Sequence, residues 1–349
     1  MNIRSFFNQI IKSKINIPTE YARVLGLSKA AHPIYGYIYG SGNLNVSLIA
    51  GAHADEPTGP RLLYHLVNYL VKQKPQHPLL QNFTWYIIPH INPDAENKNL
   101  SWYSYQDELY DLANYLQFVV REKPGEDIEW GFPDRETAAL RPENQAVYDF
   151  WQINRDGFDL HASLHSMGKS FGPWFLIDED WVDRSTHIQK VCKEETHKMG
   201  YQLFDVDRKG EKGFTRINAG FATKPNSQAM KLFFLQRDEP GMADKFHASS
   251  MESIKTLGGN PLTIVSEMPL FILPKKNDDI SWPNPELSQW NDKLKDWSDQ
   301  LKQKQANPEQ VNYWAQKEGV KSMRIVDQMY LQWIFICASI EQITQVTGK

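Results

Sequence analysis

Cysteine is nearly absent: the 349 residues hold only Cys192 and Cys337. Two thiols exclude a disulfide framework and a cysteine-held zinc site. No stretch reaches the roughly 18 consecutive apolar residues that a membrane span requires. Lys and Arg form no block, and the formal net charge is -4, which argues against a nucleic-acid surface. Polar residues interrupt the first dozen positions, so no signal peptide is expected. No internal repeat is evident. These absences lead us to expect a soluble, cytoplasmic protein with neither nucleic acid nor membrane as a partner.

The composition is 41% hydrophobic and 23% charged, which is ample for a sizeable core. The chain alternates strand-like and helix-like stretches. Residues 1–30 read as a short helix and a linker. Strands are expected at 35–40, 45–50, 83–88, 158–165, 172–177 and 261–267. Helices are expected over 61–70, near 106–120, near 142–154 and over 181–199. Residues 200–245 read as a loop excursion over a cleft. From about 284 the composition shifts, and an apolar-periodic run from Ser322 to Ile343 predicts helices packed on the main body. The alternation predicts an α/β fold with three α/β/α layers, as a catalytic domain over 1–283 and a C-terminal helical extension over 284–349. Aromatics make up 12% of the residues, and core packing accounts for most of them.

One stretch carries chemistry. Asn45–Ala50 is apolar enough for a buried strand, and Arg61–Leu70 has helical periodicity. His53 and Glu56 therefore lie in a strand-to-helix crossover, on the strand edge where open α/β sheets place their ligand crevice. An imidazole nitrogen and a carboxylate oxygen are both zinc ligands, at about 2.0–2.2 Å from the metal. The plainer reading of Asp55 and Glu56 is that they answer a helix dipole. A third ligand decides between the two, and His161 and His165 share one predicted strand. Residues four apart on a strand face the same side, so geometry alone does not choose. We expect His165, read as the last residue before the loop, and assign His161 to the core or to orienting a neighbour. His53, Glu56 and His165 would leave a fourth position for water, which is the catalytic zinc pattern. A base that is not a ligand is then needed. Glu267, expected at the close of its strand, is the candidate, against the commoner role of an exposed loop carboxylate.

The order His53-x-x-Glu56, Asn92-Pro93-Asp94, His165-Ser166 and Glu267 resembles the zinc carboxypeptidases of the carboxypeptidase A type. The related succinylglutamate desuccinylase and aspartoacylase group shares the zinc pattern. The likeness covers roughly residues 40–275. It implies a mixed sheet of about eight strands, one zinc ion held by His53, Glu56 and His165, and Glu267 as general base. Arg121 matches the family's carbonyl-polarising arginine, and Ala248-Ser249-Ser250 resembles the segment preceding the base.

The chain departs from the family where the substrate's terminal carboxylate is clamped. In the segment Gly125–Pro133, Glu129 and Trp130 stand where the family has Asn and Arg. A guanidinium fork binds carboxylate bidentately; Trp has no such fork, and Glu repels. Arg135 or Arg141 is then expected as the anchor, or an amine is expected against Glu129. Phe246 stands at the family's mobile tyrosine. The resemblance implies hydrolysis of a peptide or peptide-like amide bond. A desuccinylase-type N-acyl amino acid deacylase and a non-catalytic zinc-binding homologue are the alternatives.

Overall fold

The computed structural model describes all residues except 1–2, 13–14, 16–18, 124–127, 135–136 and 348–349. Among them are ten strands, β1 (Arg23–Leu27), β2 (Pro33–Tyr39), β3 (Leu44–Ala50), β4 (Phe83–Ile88), β5 (Leu160–Ser170), β6 (Trp174–Ile177), β7 (Arg216–Asn218), β8 (Phe221–Thr223), β9 (Leu262–Ile272) and β10 (Lys321–Ser322). They form one mixed sheet in the order β1-β2-β4-β3-β5-β9-β6-β8-β7, with β10 beside β9. The four central strands β4, β3, β5 and β9 run parallel. Their residues are buried almost throughout, as parallel strands covered on both faces must be.

Helices Ile3–Ile10, Thr58–Leu70, Thr186–Lys198 and Ile325–Thr347 pack together over one face of the sheet. Pro142–Trp151 and Ser250–Lys255 cover the other face. Leu62, Leu66 and Leu164 meet Ile334 in the first core, and Ile49, Val147 and Trp151 meet in the second. The helix Thr58–Leu70 has no side-chain cap at its start. Burial of chains such as Leu62 and Leu66 contributes about 1.5–3 kcal/mol each, so packing rather than capping fixes it. Gly59 permits its close approach, because a Cβ there would lie 2.6 Å from the Leu164 carbonyl oxygen.

Several expectations need correction. Strand β5 does not end at His165 but continues to Ser170, and β9 does not close at Glu267 but continues to Ile272. Ser166-Met167-Gly168 read as the start of a loop, yet β5 and β9 pair with each other along their whole length. The expected helix near 106–120 is only Leu112–Phe118, because Asp111 caps it by accepting from the Asn114 amide. The supposed linker before residue 30 contains β1, which pairs with β2. The 200–245 excursion contains β7, β8 and the helix Ser227–Leu235. Among the described residues the mixed sheet has ten strands, against the roughly eight expected. Among the described residues, no helix is long and apolar enough to cross a membrane.

Candidate metal centre

Strand β3 stops at Ala50, while its neighbour β5 runs on past Leu164, the partner of Ala50. Gly51, with φ of 74°, turns the chain out of β3 in a conformation that costs glycine little. The turn carries His53 and Glu56 to the side of the overrunning β5. His165 is the next residue of β5, and Glu267 stands directly opposite it on β9.

Three donor atoms converge there. His53 Nδ1 lies 2.8 Å from Glu56 Oε1, and His165 Nδ1 lies 3.0 Å from Glu56 Oε2. The two Nδ1 atoms are 3.2 Å apart. Tetrahedral bonds of about 2.0–2.1 Å to one zinc ion would set neighbouring ligands about 3.3 Å apart. The donor set and its spacing thus fit zinc. His65, His90 and His161 are buried as well, but His53, Glu56 and His165 are the group of three that could hold a metal ion among the described residues.

The surroundings fix the ring of His165. Its Nε2 lies 2.8 Å from Ser163 Oγ and 3.3 Å from Glu129 Oε2. The Glu129 carboxylate beside Nε2 favours a proton on that nitrogen, which would leave the Nδ1 lone pair for a metal ion. The His165 carbonyl accepts from Gln332 Nε2, and Glu56 Oε2 accepts from the Ser166 amide. Glu56 and His165 are buried, while the His53 side chain keeps 19% of its surface exposed.

Without a metal, protons supply the positive charge. Burial would lower the His53 pKa, but Glu56 outweighs it and pushes it up to about 9. Burial also opposes the protonation of His165, yet Glu129 and Glu56 hold its pKa well above the ordinary value. Burial favours the neutral form of Glu56, but the two histidines hold it below the usual carboxylate range. Glu267 is pushed up to about 8 by burial and then by the charge of Glu56. A divalent cation would replace these protons.

His53, Glu129, Trp130, His165 and Glu267 line one cavity of about 220 Å³. Arg121 is more than half exposed, with Nη2 3.8 Å from Glu56 Oε1 and Nε 3.9 Å from Asp55 Oδ1. His161 does not join the site. It is fully buried between Ser47 Oγ at 3.0 Å and Ser250 Oγ at 3.2 Å, with Trp151 edge-on. A larger hollow of about 720 Å³ lies at the opposite, N-terminal ends of the parallel strands. It has no converging ligand group among the described residues.

Two expected substrate contacts, Arg141 and Phe246, are not among the residues that line the cavity. Arg141 is buried and committed: Nε and Nη2 bond Glu143, and Nη1 bonds Glu122. Phe246 is fully buried behind Trp130, against its ring at 5.6 Å and against Phe234. Arg135 and Gly125–Asp127 lie outside the described residues. Sequence reasoning missed Ser163, whose place two residues before His165 on the same strand face was the available signal. It also missed Arg208 and Lys212, which line the cavity. Only the basic composition of their loop could have pointed to them.

The chain was compared with known proteins. The sequence model of the zinc carboxypeptidase family, Peptidase_M14, matches residues 24–201. That span includes His53, Glu56, Arg121 and His165 and ends before Glu267. Mouse carboxypeptidase M is 31% identical over 127 residues, which are 34% of this chain and 25% of that protein. Carboxypeptidase A from Helicoverpa armigera superposes with a TM-score of 0.49 at 11% identity, covering 99% of this chain and 73% of that one. Bovine thrombin-activatable fibrinolysis inhibitor, in complex with tick carboxypeptidase inhibitor, gives 0.48 at 12% identity, covering 99% and 98%. With just over half of its length matched by the family's sequence pattern, this chain belongs to the zinc carboxypeptidase family.

Proposed function

We propose that the protein hydrolyses a peptide or peptide-like amide bond, with one zinc ion held by His53 and His165 through Nδ1 and by the carboxylate of Glu56. The observation that carries this reading is the convergence of His53, Glu56 and His165 into a group that could hold a metal ion, with His53 and His165 lining the cavity that Glu267 also lines. When bound, zinc is a Lewis acid that makes water acidic near neutral pH and polarises a carbonyl.

The chain's own groups supply the rest. Glu267, partly buried and not among the three donors, takes the proton of the attacking water and hands it to the leaving amine. Arg121, beside Glu56, offers a permanent positive charge to the carbonyl oxygen as it becomes negative. Ser163 and Glu129 keep the His165 proton on Nε2, leaving Nδ1 for the metal.

The test is the Glu267→Gln substitution, assayed beside the parent on peptides and on N-acyl amino acids. We expect zinc content to be unchanged and turnover to fall by about 10²–10⁴-fold. Full activity in that variant would sink the assignment. Cleavage of N-acyl amino acids alone would move the reading to a deacylase.

A further inference from the structure

The cavity beside the metal centre has two cations in its wall, Arg208 and Lys212, and neither is used by the hydrolytic chemistry. We propose that these two side chains bind a carboxylate of the substrate, an inference that rests on the hydrolase reading above.

The loop bearing them is built at some cost. Lys209, Gly210, Lys212 and Gly213 all have positive φ, of 50°, 80°, 58° and 90°. The two lysines hold a conformation that side chains rarely adopt, and such strain gathers at ligand clamps. The turn is closed by the Gly210 amide donating to the Phe214 carbonyl at 3.0 Å.

Arg208 is prepared to receive an anion. Its side chain is only 11% exposed. The guanidinium carbon lies 4.3 Å from the ring centres of both Phe214 and Trp282, so the plane is held by two aromatic rings. One Nη donates to Glu211, while the buried Nε has no hydrogen-bond partner. An unmade bond from a buried, charged donor is costly. Lys212 is half-buried, 4.4 Å from the centre of the Phe233 ring. Burial, and then the charge of Arg208, lowers its pKa. Glu211 is one carboxylate between two cations.

The other polar groups of the cavity serve elsewhere. Glu129 faces His165, and Trp130 has no charge to offer. A planar guanidinium held between rings, with a second cation beside it, suits a planar carboxylate. That carboxylate is either the terminal group of a peptide or an acidic side chain.

The test uses full-length, zinc-loaded Glu267→Gln protein, so that no probe is consumed. Three probes are titrated by calorimetry: N-acetylglutamine carries only a terminal carboxylate, N-acetylglutamate α-amide only a side-chain carboxylate, and N-acetylglutamine amide neither. We expect one carboxylate probe to bind about 10–100-fold more tightly than the diamide, and which one it is identifies the source. That advantage should vanish in Arg208→Gln, shrink in Lys212→Met and in Arg208→Lys, and persist after the metal is removed by chelation. No advantage, an advantage that survives Arg208→Gln and Lys212→Met, or one lost with the metal would overturn the proposal. If the parent protein cleaves neither peptides nor N-acyl amino acids, the hydrolase reading falls, and the titrations still decide carboxylate binding.

Discussion

His165 and Glu267 are direct partners on the parallel strands β5 and β9, so a candidate metal donor and the candidate base share one face of the sheet at adjacent positions. Their relation is set by backbone pairing that extends on both sides of them. The chemistry of the site is therefore tied to the most regular part of the molecule.

The first prediction concerns metal content. His165→Ala should lose zinc, measured by elemental analysis of purified protein. His161→Ala should keep it, because His161 bonds Ser47 and Ser250 away from the donors. Retention of zinc by both variants would refute the ligand set.

Metal affinity should depend on pH in a defined direction. His53 holds its proton up to about 9 when no metal is present. Binding at pH 7 must therefore release protons, and affinity should rise with pH until His53 is deprotonated. Competition with a chelator across pH 6–9, with calorimetry in two buffers of different ionisation enthalpy, measures this. A flat profile would contradict the donor role of His53.

The acid limb of activity should belong to Glu267. Its pKa stands near 8 in the metal-free site because of burial and the charge of Glu56. A bound cation favours the ionised form, so the limb should fall below that value and activity should rise with pH through it. In Glu267→Gln, whatever rate remains should lack this limb.

Stability should decline in acid partly through His161. Burial, with Lys224 nearby, lowers its pKa to about 3, while the unfolded chain takes up the proton near 6.5. Between those values the unfolded state binds more protons, so stability falls as pH falls. The contribution is on the order of 5 kcal/mol across that window. Urea titrations of the parent and His161→Gln at pH 7 and pH 4.5 should show a shallower loss in the variant.

Gly51→Ala should cost about 1–3 kcal/mol of stability and weaken zinc binding. Its φ is 74°, and an added Cβ would lie 2.6 Å from the His90 ring. Denaturation with and without zinc tests both effects, and an unchanged midpoint would show the turn to be tolerant.

The half of the site held by His53 and Glu56 was legible because a buried strand, a turn and a periodic helix follow one another within one short segment. His165 and Glu267 were identified, but their setting was misread. Residues 166–170 are polar and glycine-bearing, and only pairing with a strand a hundred residues away makes them extended. Arg141 was misjudged because an arginine in a loop gives no sign of its partners, here Glu122 and Glu143. Arg208 was invisible for the same reason: its cavity exists only once the 200–245 segment folds over β9.

The overrun of β5 and β9 beyond β3 divides the metal centre into two mechanical halves. His165 and Glu267 ride on a continuous ladder of backbone bonds. His53 and Glu56 hang from a turn, and His53 retains the solvent-facing edge. An ion held there would meet one wall built on that ladder and one built on a turn, with His53 on the more exposed side.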